Sequence, residues 1–392
     1  MESSPKRLEL TEAQALFFRA RRGHLAGPGA TDAATCAHDL LGAQSQQEAS
    51  GLLAVAMRTA GRPTASDLKE DLFGPERTLV RTWGQRDTIH IYPADETWPL
   101  IVAARRLWAP QGRRGALPAA RDEQKALKLV RRQPVLFRED FVSCVRDSYL
   151  DDLDDRIGDR AAKIKFACGR FAWRLSLEGH LCHAHKQGAR QAYAAREHWH
   201  PQLDWPDPPI DPVDACAELT RRYLAMAAPA TVQDVAHYFG ARVGDARAWI
   251  ARLDESGELI RVRCAGRDDL LALARDEAAL REMAPRSATA WPVRILPLWD
   301  TLLMNHADKS WTVPDPAVRP LIWRKAAMVS AVILKRGRVA GTWTMKKRGK
   351  RVDFTLNALA DVKRSTLEKA VNTETNTVAA HLGLEPGRRQ WA

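Results

Sequence analysis

Between Leu40 and Val55 the chain reads LLGAQSQQEASGLLAV, an apolar, helix-forming run broken by Gln44, Ser45, Gln46 and Gln47 and followed by Glu48. Three carboxamides so close together are poor core material, because each carries two donors and two acceptor lone pairs that need partners when buried. An amide is a poor general base near neutral pH. It can nevertheless accept a hydrogen bond from water through its oxygen and donate through its nitrogen, which fixes where that water sits. Positions i and i+2 share a side in an extended segment and face nearly opposite ways in a helix. Gln44 and Gln46 can therefore cooperate only where this stretch is extended or turned, as the preceding Gly42 allows. The other reading is a solvated helix start with Glu48 in its first turn. Taken alone, the residues leave both open.

Other groups with chemical potential are spread along the chain. Lys335, Arg336, Arg338, Lys346, Lys347, Arg348, Lys350 and Arg351 put eight basic residues within 17 positions, around Gly337 and Gly349, with Trp343 on the strand between. Cationic turns beside an aromatic suit phosphate gripping with stacking, or else are solvated turns that guard a sheet edge. Arg105, Arg106, Arg113 and Arg114 around Trp108 read as a charged helix face. GHLCHAHKQG holds His180, Cys182, His183 and His185, but ligands alternating along a strand point to both faces, so no metal is expected. Asp300, beside Trp299, is either an acid for a developing cation or a helix cap.

The elements that position these groups form a repeating silhouette. Thr11 to Arg22 reads as an amphipathic helix capped by Thr11, and a helix follows the glutamines to about Arg58. After a restart at Thr64 or Ser66, TLVRTWGQRDTIHIYP reads as a hairpin ending at Pro93. From Leu136 to Trp199, helices over REDFVSCVRDSYL and KIKFACGRFAWRLSLEG lead to a wing that turns at Gly188. From Val213 to Leu273, ELTRRYLAMAA, then ATVQDVAHYFG ending at Gly240, then the candidate recognition helix RVGDARAWIARLDESG, precede the strand–turn–strand ELIRVRCAGRDDLLAL. Two helices around a glycine turn are the helix-turn-helix arrangement.

The Pro-rich stretches His200–Pro212 and Ala284–Pro297 read as linkers. Beyond them come three strands joined by Gly turns and a closing helix, from about Ser365 to Leu382. The expected class is α+β, with three tandem winged-helix units over 1–120, 121–205 and 206–285 and a β-rich part over 286–392.

With 392 residues, 45% hydrophobic and 28% charged, the composition is that of a soluble globular protein. A formal charge of +12 points to a polyanionic partner, nucleic acid first. Six scattered cysteines without a CxxC pair argue against a zinc ribbon or a disulfide framework. With no apolar run near membrane-spanning length, the expected location is intracellular, in the cytoplasm and on the nucleoid.

Several segments, in order, now resemble one family. LLGAQSQQEASGLLAV followed by LVRTWGQRDTIHIYPADETW, then ELTRRYLAMAAPATVQDVAHYFG, RILPLWDTLLM and ILKRGRVAGTWT are similar to the AlkZ/YcaQ-like winged-helix DNA glycosylases. The resemblance implies tandem winged-helix units and a β-rich part that form a basic cleft around duplex DNA. It also implies excision of alkylated purines, N7 or N3 adducts and some interstrand crosslinks included. The family signature, two polar residues flanking an aliphatic one, falls on Gln44 and Gln46 as the catalytic pair. Ser45 departs from the aliphatic middle position and Gln47 creates a second register. Asp87 stands where many relatives have Gly. On the family hairpin, Arg81, Arg86 and His90 face DNA or the glutamine site, unless that strand's polar face simply meets water.

The expected enzyme is monomeric, metal-free and cofactor-free, acting on double-stranded DNA that carries alkylated purines. It is monofunctional, since the motif holds no nucleophilic lysine. A site without a carboxylate suits bases that are already cationic, whose glycosidic bond is weakened beforehand, and needs no tight base pocket. The competing class is a non-catalytic winged-helix DNA binder or transcriptional regulator.

Overall fold

The computed structural model describes residues 7–108 and 118–392, so Arg113 and Arg114 of the second basic group lie outside the described residues. The class is α+β: helices and several small sheets. The first helix, Glu12–Arg22, starts where the sequence predicts, with a capping box between Thr11 and Gln14. Asp32 caps Ala33–Asp39 and Thr64 caps Ala65–Phe73 in the same manner, by satisfying orphan backbone N–H groups.

The stretch that opens the sequence is extended, then bent. Ala43–Gln44 is the edge strand of a three-stranded sheet, antiparallel to Ile89–Pro93, which in turn pairs with Leu79–Trp83. Gly42 takes φ +88°, where a Cβ would strike the Tyr92 ring at 2.3 Å, so only glycine lets the chain turn into this strand. The helix Glu48–Ala56 begins immediately after the bend at Gln46 and Gln47.

The segment from Pro212 to Leu273 also follows the prediction. Helices Pro212–Ala227, Val232–Phe239 and Val243–Glu255 precede the paired strands Leu259–Cys264 and Arg267–Leu273. Gly240 ends the second helix in the left-handed region at φ +71°. Leu8–Leu10 joins this hairpin as a parallel third strand, which no local pattern near the chain start announced.

Three readings are corrected. Arg138–Leu150 is not one helix: a 3₁₀ segment, Arg138–Cys144, gives way at an extended Val145 to the short helix Asp147–Asp151. The stretch Ala284–Pro297 is not wholly a linker, because Arg294–Leu296 forms the first strand of the C-terminal sheet. That sheet has five strands rather than three. Val332–Lys335, Arg338–Arg348 and Arg351–Ala358 were legible, whereas Glu385–Trp391 is a polar strand, EPGRRQW, that adds in parallel at the far edge. Helix Glu368–His381 covers one face through Val371, Val378 and Ala379, against Trp343, Phe354 and Leu356.

Packing is shared across the expected unit boundaries. The largest core joins Leu52, Val55, Ile91 and Trp98 to Cys182 and Ala194, and to Tyr223, Tyr238 and Phe239. A second unites Phe17 and Phe18 with Leu270, Trp291 and Leu334. Between them lies a buried ion pair: Arg58 Nη1 and Nη2 each donate at 2.8 Å to Asp300. All six cysteines are buried and unpaired. Among the described residues no helix is long and apolar enough to cross a membrane.

Candidate active site

The glutamine strand and the hairpin beside it meet at a turn held from three sides. Gln85 is the pin: its Nε2 donates to Leu41 O and Tyr238 Oη, both at 3.0 Å, and its Oε1 accepts from Tyr92 Oη. Gly84 lies so close beneath that a Cβ there would sit 1.7 Å from Tyr92 Oη. Asp87 accepts from Trp173 Nε1 at 2.9 Å and lies 3.6 Å from Arg105, which also donates to Trp83 O at 2.8 Å. Arg86 and Asp87 both have positive φ, at +55° and +58°. Aspartate tolerates that region better than most residues, and here the Trp173 and Arg105 contacts hold it in place of the expected glycine.

Arg86 points back over the motif. Its Nη2 donates to Gln44 Oε1 at 3.0 Å, and its Nη1 donates to Tyr238 O at the end of helix Val232–Phe239. A guanidinium only donates, so the Gln44 amide is oriented with its oxygen toward Arg86 and its nitrogen turned away. Gln44 is 6% exposed, whereas Gln46 is exposed. Ser45 N donates to Ile89 O at 2.6 Å, and the next acceptor in the ladder is supplied by a side chain: Gln46 Oε1 accepts from Ile89 N at 3.3 Å. Both carboxamide oxygens thus have fixed partners, and each amide nitrogen is left free of protein partners among the described residues.

Ser45 is explained by what surrounds it. Arg81 Nε donates to Ser45 Oγ at 3.0 Å and Arg81 Nη2 donates to Ser45 O at 2.9 Å. Helix residue Gly51 packs onto the same side chain, where a Cβ would lie 2.6 Å from Ser45 Cβ. The hydroxyl at this position therefore does work an aliphatic side chain cannot do.

Of the three family-hairpin residues, half-buried Arg86 binds Gln44, buried Arg81 binds Ser45 between the glutamines, and His90 is buried beside Tyr92. Arg81 is 3% exposed, and burial lowers the pKa of both Arg81 and Arg86 from the usual arginine value. His90, paired in register with Gln44, is buried, shares a hydrogen bond of 3.1 Å with Thr88 O and stacks on Tyr92. Burial, reinforced by the Arg86 charge, holds it well below the usual histidine range, so it is neutral at physiological pH. Sequence reasoning missed Gln85, Tyr92, Trp173 and Tyr238, which lie far apart in the chain. It also read Arg105 as part of a charged face, whereas Arg105 is buried under the turn and its pKa falls to about 10 through burial. Arg106 is exposed.

Asp300 takes the cap role. Oδ1 accepts from Leu302 N at 3.0 Å, both oxygens bind Arg58, and the fully buried carboxylate is out of reach of a substrate cation. Cys182 and His183 are buried on the strand Leu181–His183, with His183 against Trp83 and Tyr193.

The two cationic turns of the C-terminal sheet differ. The turn at Gly337 is docked: Arg336 donates to the Pro285 and Arg286 carbonyls, Arg338 pairs with Glu12, and Lys335 donates to Thr366 Oγ1 at 2.9 Å. The turn at Gly349 is open, with Lys346, Lys347, Arg348, Lys350 and Arg351 all exposed. There Arg348 pairs with Asp353 at 2.8 Å and Arg351 with Glu385 at 3.2 Å. Trp343 is not a stacking platform: it is 3% exposed, packs on Phe354 and donates to Leu296 O at 2.9 Å.

A protein described as an interstrand DNA cross-link repair glycosylase, from Streptomyces sahachiroi, is 25% identical over 355 residues, covering 88% of this chain and 89% of that protein. The solved structure of the Streptomyces sahachiroi DNA glycosylase AlkZ superposes with a TM-score of 0.76 at 21% identity, covering 98% of this chain and 100% of that one, a likeness of fold. The family model for DNA glycosylase AlkZ-like proteins matches residues 37–381, from just before the glutamine strand to the end of the closing helix. The chain therefore belongs to the AlkZ-like DNA glycosylase family.

Proposed function

We propose that this enzyme hydrolyses the N-glycosidic bond of N7- or N3-alkylated purines in duplex DNA, with Gln44 and Gln46 positioning the attacking water. The observation that carries this reading is the pair of carboxamides two residues apart where strand Ala43–Gln44 runs into a bend, their oxygens fixed by Arg86 and Ile89 N and their amide nitrogens unengaged.

Each amide nitrogen donates to a water oxygen, and the second lone pair of each amide oxygen is available for a water hydrogen. The water is held in place rather than deprotonated beforehand. It attacks C1′ as the C1′–N bond breaks, the electron pair of that bond neutralises the cationic purine, and the water's spare proton passes to solvent. The products are a free alkylated base and an abasic site. No lysine enters the step, so the strand stays intact. An uncharged purine leaves poorly from a site without an acid, which restricts the substrates to bases that are already cationic.

The related Streptomyces protein is described as acting on interstrand crosslinks, and the same chemistry would unhook a crosslink attached through N7. In this reading the three helix-and-hairpin segments act as tandem winged-helix units of a cytoplasmic monomer. The open turn around Gly349, with Lys346, Lys347 and Lys350, grips phosphates alongside them.

The test is incubation of an N7-methylguanine duplex with the protein, followed by alkali. Breaks at the adduct only after alkali are expected. Substituting both Gln44→Ala and Gln46→Ala should abolish the breaks and leave salt-sensitive duplex binding in place. Unchanged excision by that variant would overturn the assignment. A wild-type protein that binds duplex and never excises would point to the non-catalytic class.

A further inference from the structure

We infer that Arg86 and Arg81 are positioning residues of the glutamine motif, each fixing one of its residues from beneath, and are not contacts to the DNA backbone. The inference rests on the reading of Gln44 and Gln46 as the catalytic pair and adds the machinery that orients them.

Both side chains come from the same hairpin and both bind neutral partners inside the motif. Arg86 joins Gln44 Oε1 to the carbonyl of Tyr238, so the Gln44 amide is anchored to the end of helix Val232–Phe239. Gly240, following that helix, allows the approach: a Cβ there would come within 3.2 Å of Arg86 Cα. Arg81 takes Ser45 by both its hydroxyl and its carbonyl, which fixes the backbone between the two glutamines.

Neither guanidinium is in an ion pair with a carboxylate among the described residues. Arg81 Nη1, moreover, is buried without any partner. Burying a guanidinium against neutral acceptors and leaving a donor unmet is unfavourable for folding. A motif that needs its carboxamides held in one orientation gives a reason to retain the two arginines. A contact to phosphate would instead require an exposed head group, as on Lys346 and Lys347.

The same geometry accounts for the departure at position 45. Where an aliphatic residue would hold the middle of the motif by packing, this chain uses a hydroxyl bonded to Arg81, with Gly51 making room.

The test is single-turnover excision together with duplex affinity across a salt series, for Gln44→Ala, Arg86→Lys, Arg86→Met, Ser45→Ala and the pair Gln44→Ala with Arg86→Met. Removing a group that orients the reacting water should lower the rate constant by at least about tenfold in Arg86→Met. Arg86→Lys should recover only part of that loss, since one ammonium does not reproduce the forked geometry that spans Gln44 and Tyr238. Ser45→Ala should fall in between.

Duplex affinity should change less than about threefold, with an unaltered salt slope, because no phosphate contact is lost. Adding Arg86→Met to Gln44→Ala should slow excision no further, since Arg86 acts through Gln44. A salt slope reduced by about one in Arg86→Met, or a fully additive double substitution, would overturn the inference and make Arg86 a DNA contact. Wild-type excision by Arg86→Met while Gln44→Ala is inactive would also overturn it and leave the catalytic reading standing. An active Gln44→Ala would instead remove the catalytic reading itself.

Discussion

The two basic turns of the C-terminal sheet are built alike, each with lysines and arginines flanking a positive-φ glycine, yet they meet different surroundings. Gly337 (φ +75°) rests on helix Glu12–Arg22, where a Cβ would lie 2.9 Å from Leu16, and its arginines bind carbonyls and Glu12. Gly349 (φ +58°) has nothing within 4 Å of where a Cβ would be, and its basic neighbours are exposed. Similar charge is thus tied to neighbouring segments at one turn, with Arg338 still exposed, while at the other Lys346, Lys347 and Lys350 stand exposed beside two paired arginines. A cluster of Lys and Arg acquires its meaning from whatever the fold places against it.

Four experiments can break or sharpen that contrast. The largest effect belongs to Trp343, on the strand that connects the two turns. As a core indole, its replacement in Trp343→Ala should cost about 3–5 kcal/mol of stability by denaturant unfolding. A stable variant with weakened DNA binding would restore it as a stacking residue.

Next come Lys346→Ala, Lys347→Ala and Lys350→Ala combined. Duplex affinity should fall on the order of a hundredfold at low salt, with the salt slope smaller by roughly three. Arg336→Ala with Arg338→Ala should leave that slope unchanged. Equal slopes lost at both turns would erase the distinction.

A smaller effect is expected of Gly337→Ala. The residue must hold positive φ and press on Leu16, so a loss of about 1–3 kcal/mol in unfolding free energy is expected. Gly349→Ala should cost less, about 1 kcal/mol, from backbone strain alone. The smallest effect concerns Arg351→Ala, which removes an exposed pair with Glu385. Calorimetry should register a stability change below about 1 kcal/mol, while affinity for duplex DNA should still drop measurably.

The legible parts of the molecule were those where one local rule acts. Thr11 and Thr64 announce helix starts because a side-chain oxygen satisfies nearby N–H groups whatever the rest of the chain does. The hairpin Leu79 to Pro93 and the helix stop at Gly240 are of the same kind. Strand Glu385–Trp391 was not legible, since a polar edge strand is defined by the neighbour it pairs with rather than by alternation of its own. The short helical pieces between Arg138 and Asp151 were merged for want of any local sign that Val145 is extended.

At the candidate site, the residue types Gln44 and Gln46 and their spacing were visible, as was the need for an extended backbone. Arg86 was named beside them, but the rest of the cluster was not. Gln85 and Tyr238 lie 153 residues apart and Trp173 and Asp87 86 apart along the bonds that join them, and no periodicity connects them. Ser45 looked like a departure from the family signature until Arg81 and Gly51 were seen around it.

From its sequence alone this chain was bound to be a basic, α+β protein with a carboxamide pair beside a hairpin, because composition, capping and alternation act over a few residues. Tertiary structure decided which arginines turn inward to hold that pair and which basic turn remains open. Burial and hydrogen-bond partnership depend on segments brought together from distant parts of the chain, and those alone determine whether a guanidinium is a structural donor or a free charge.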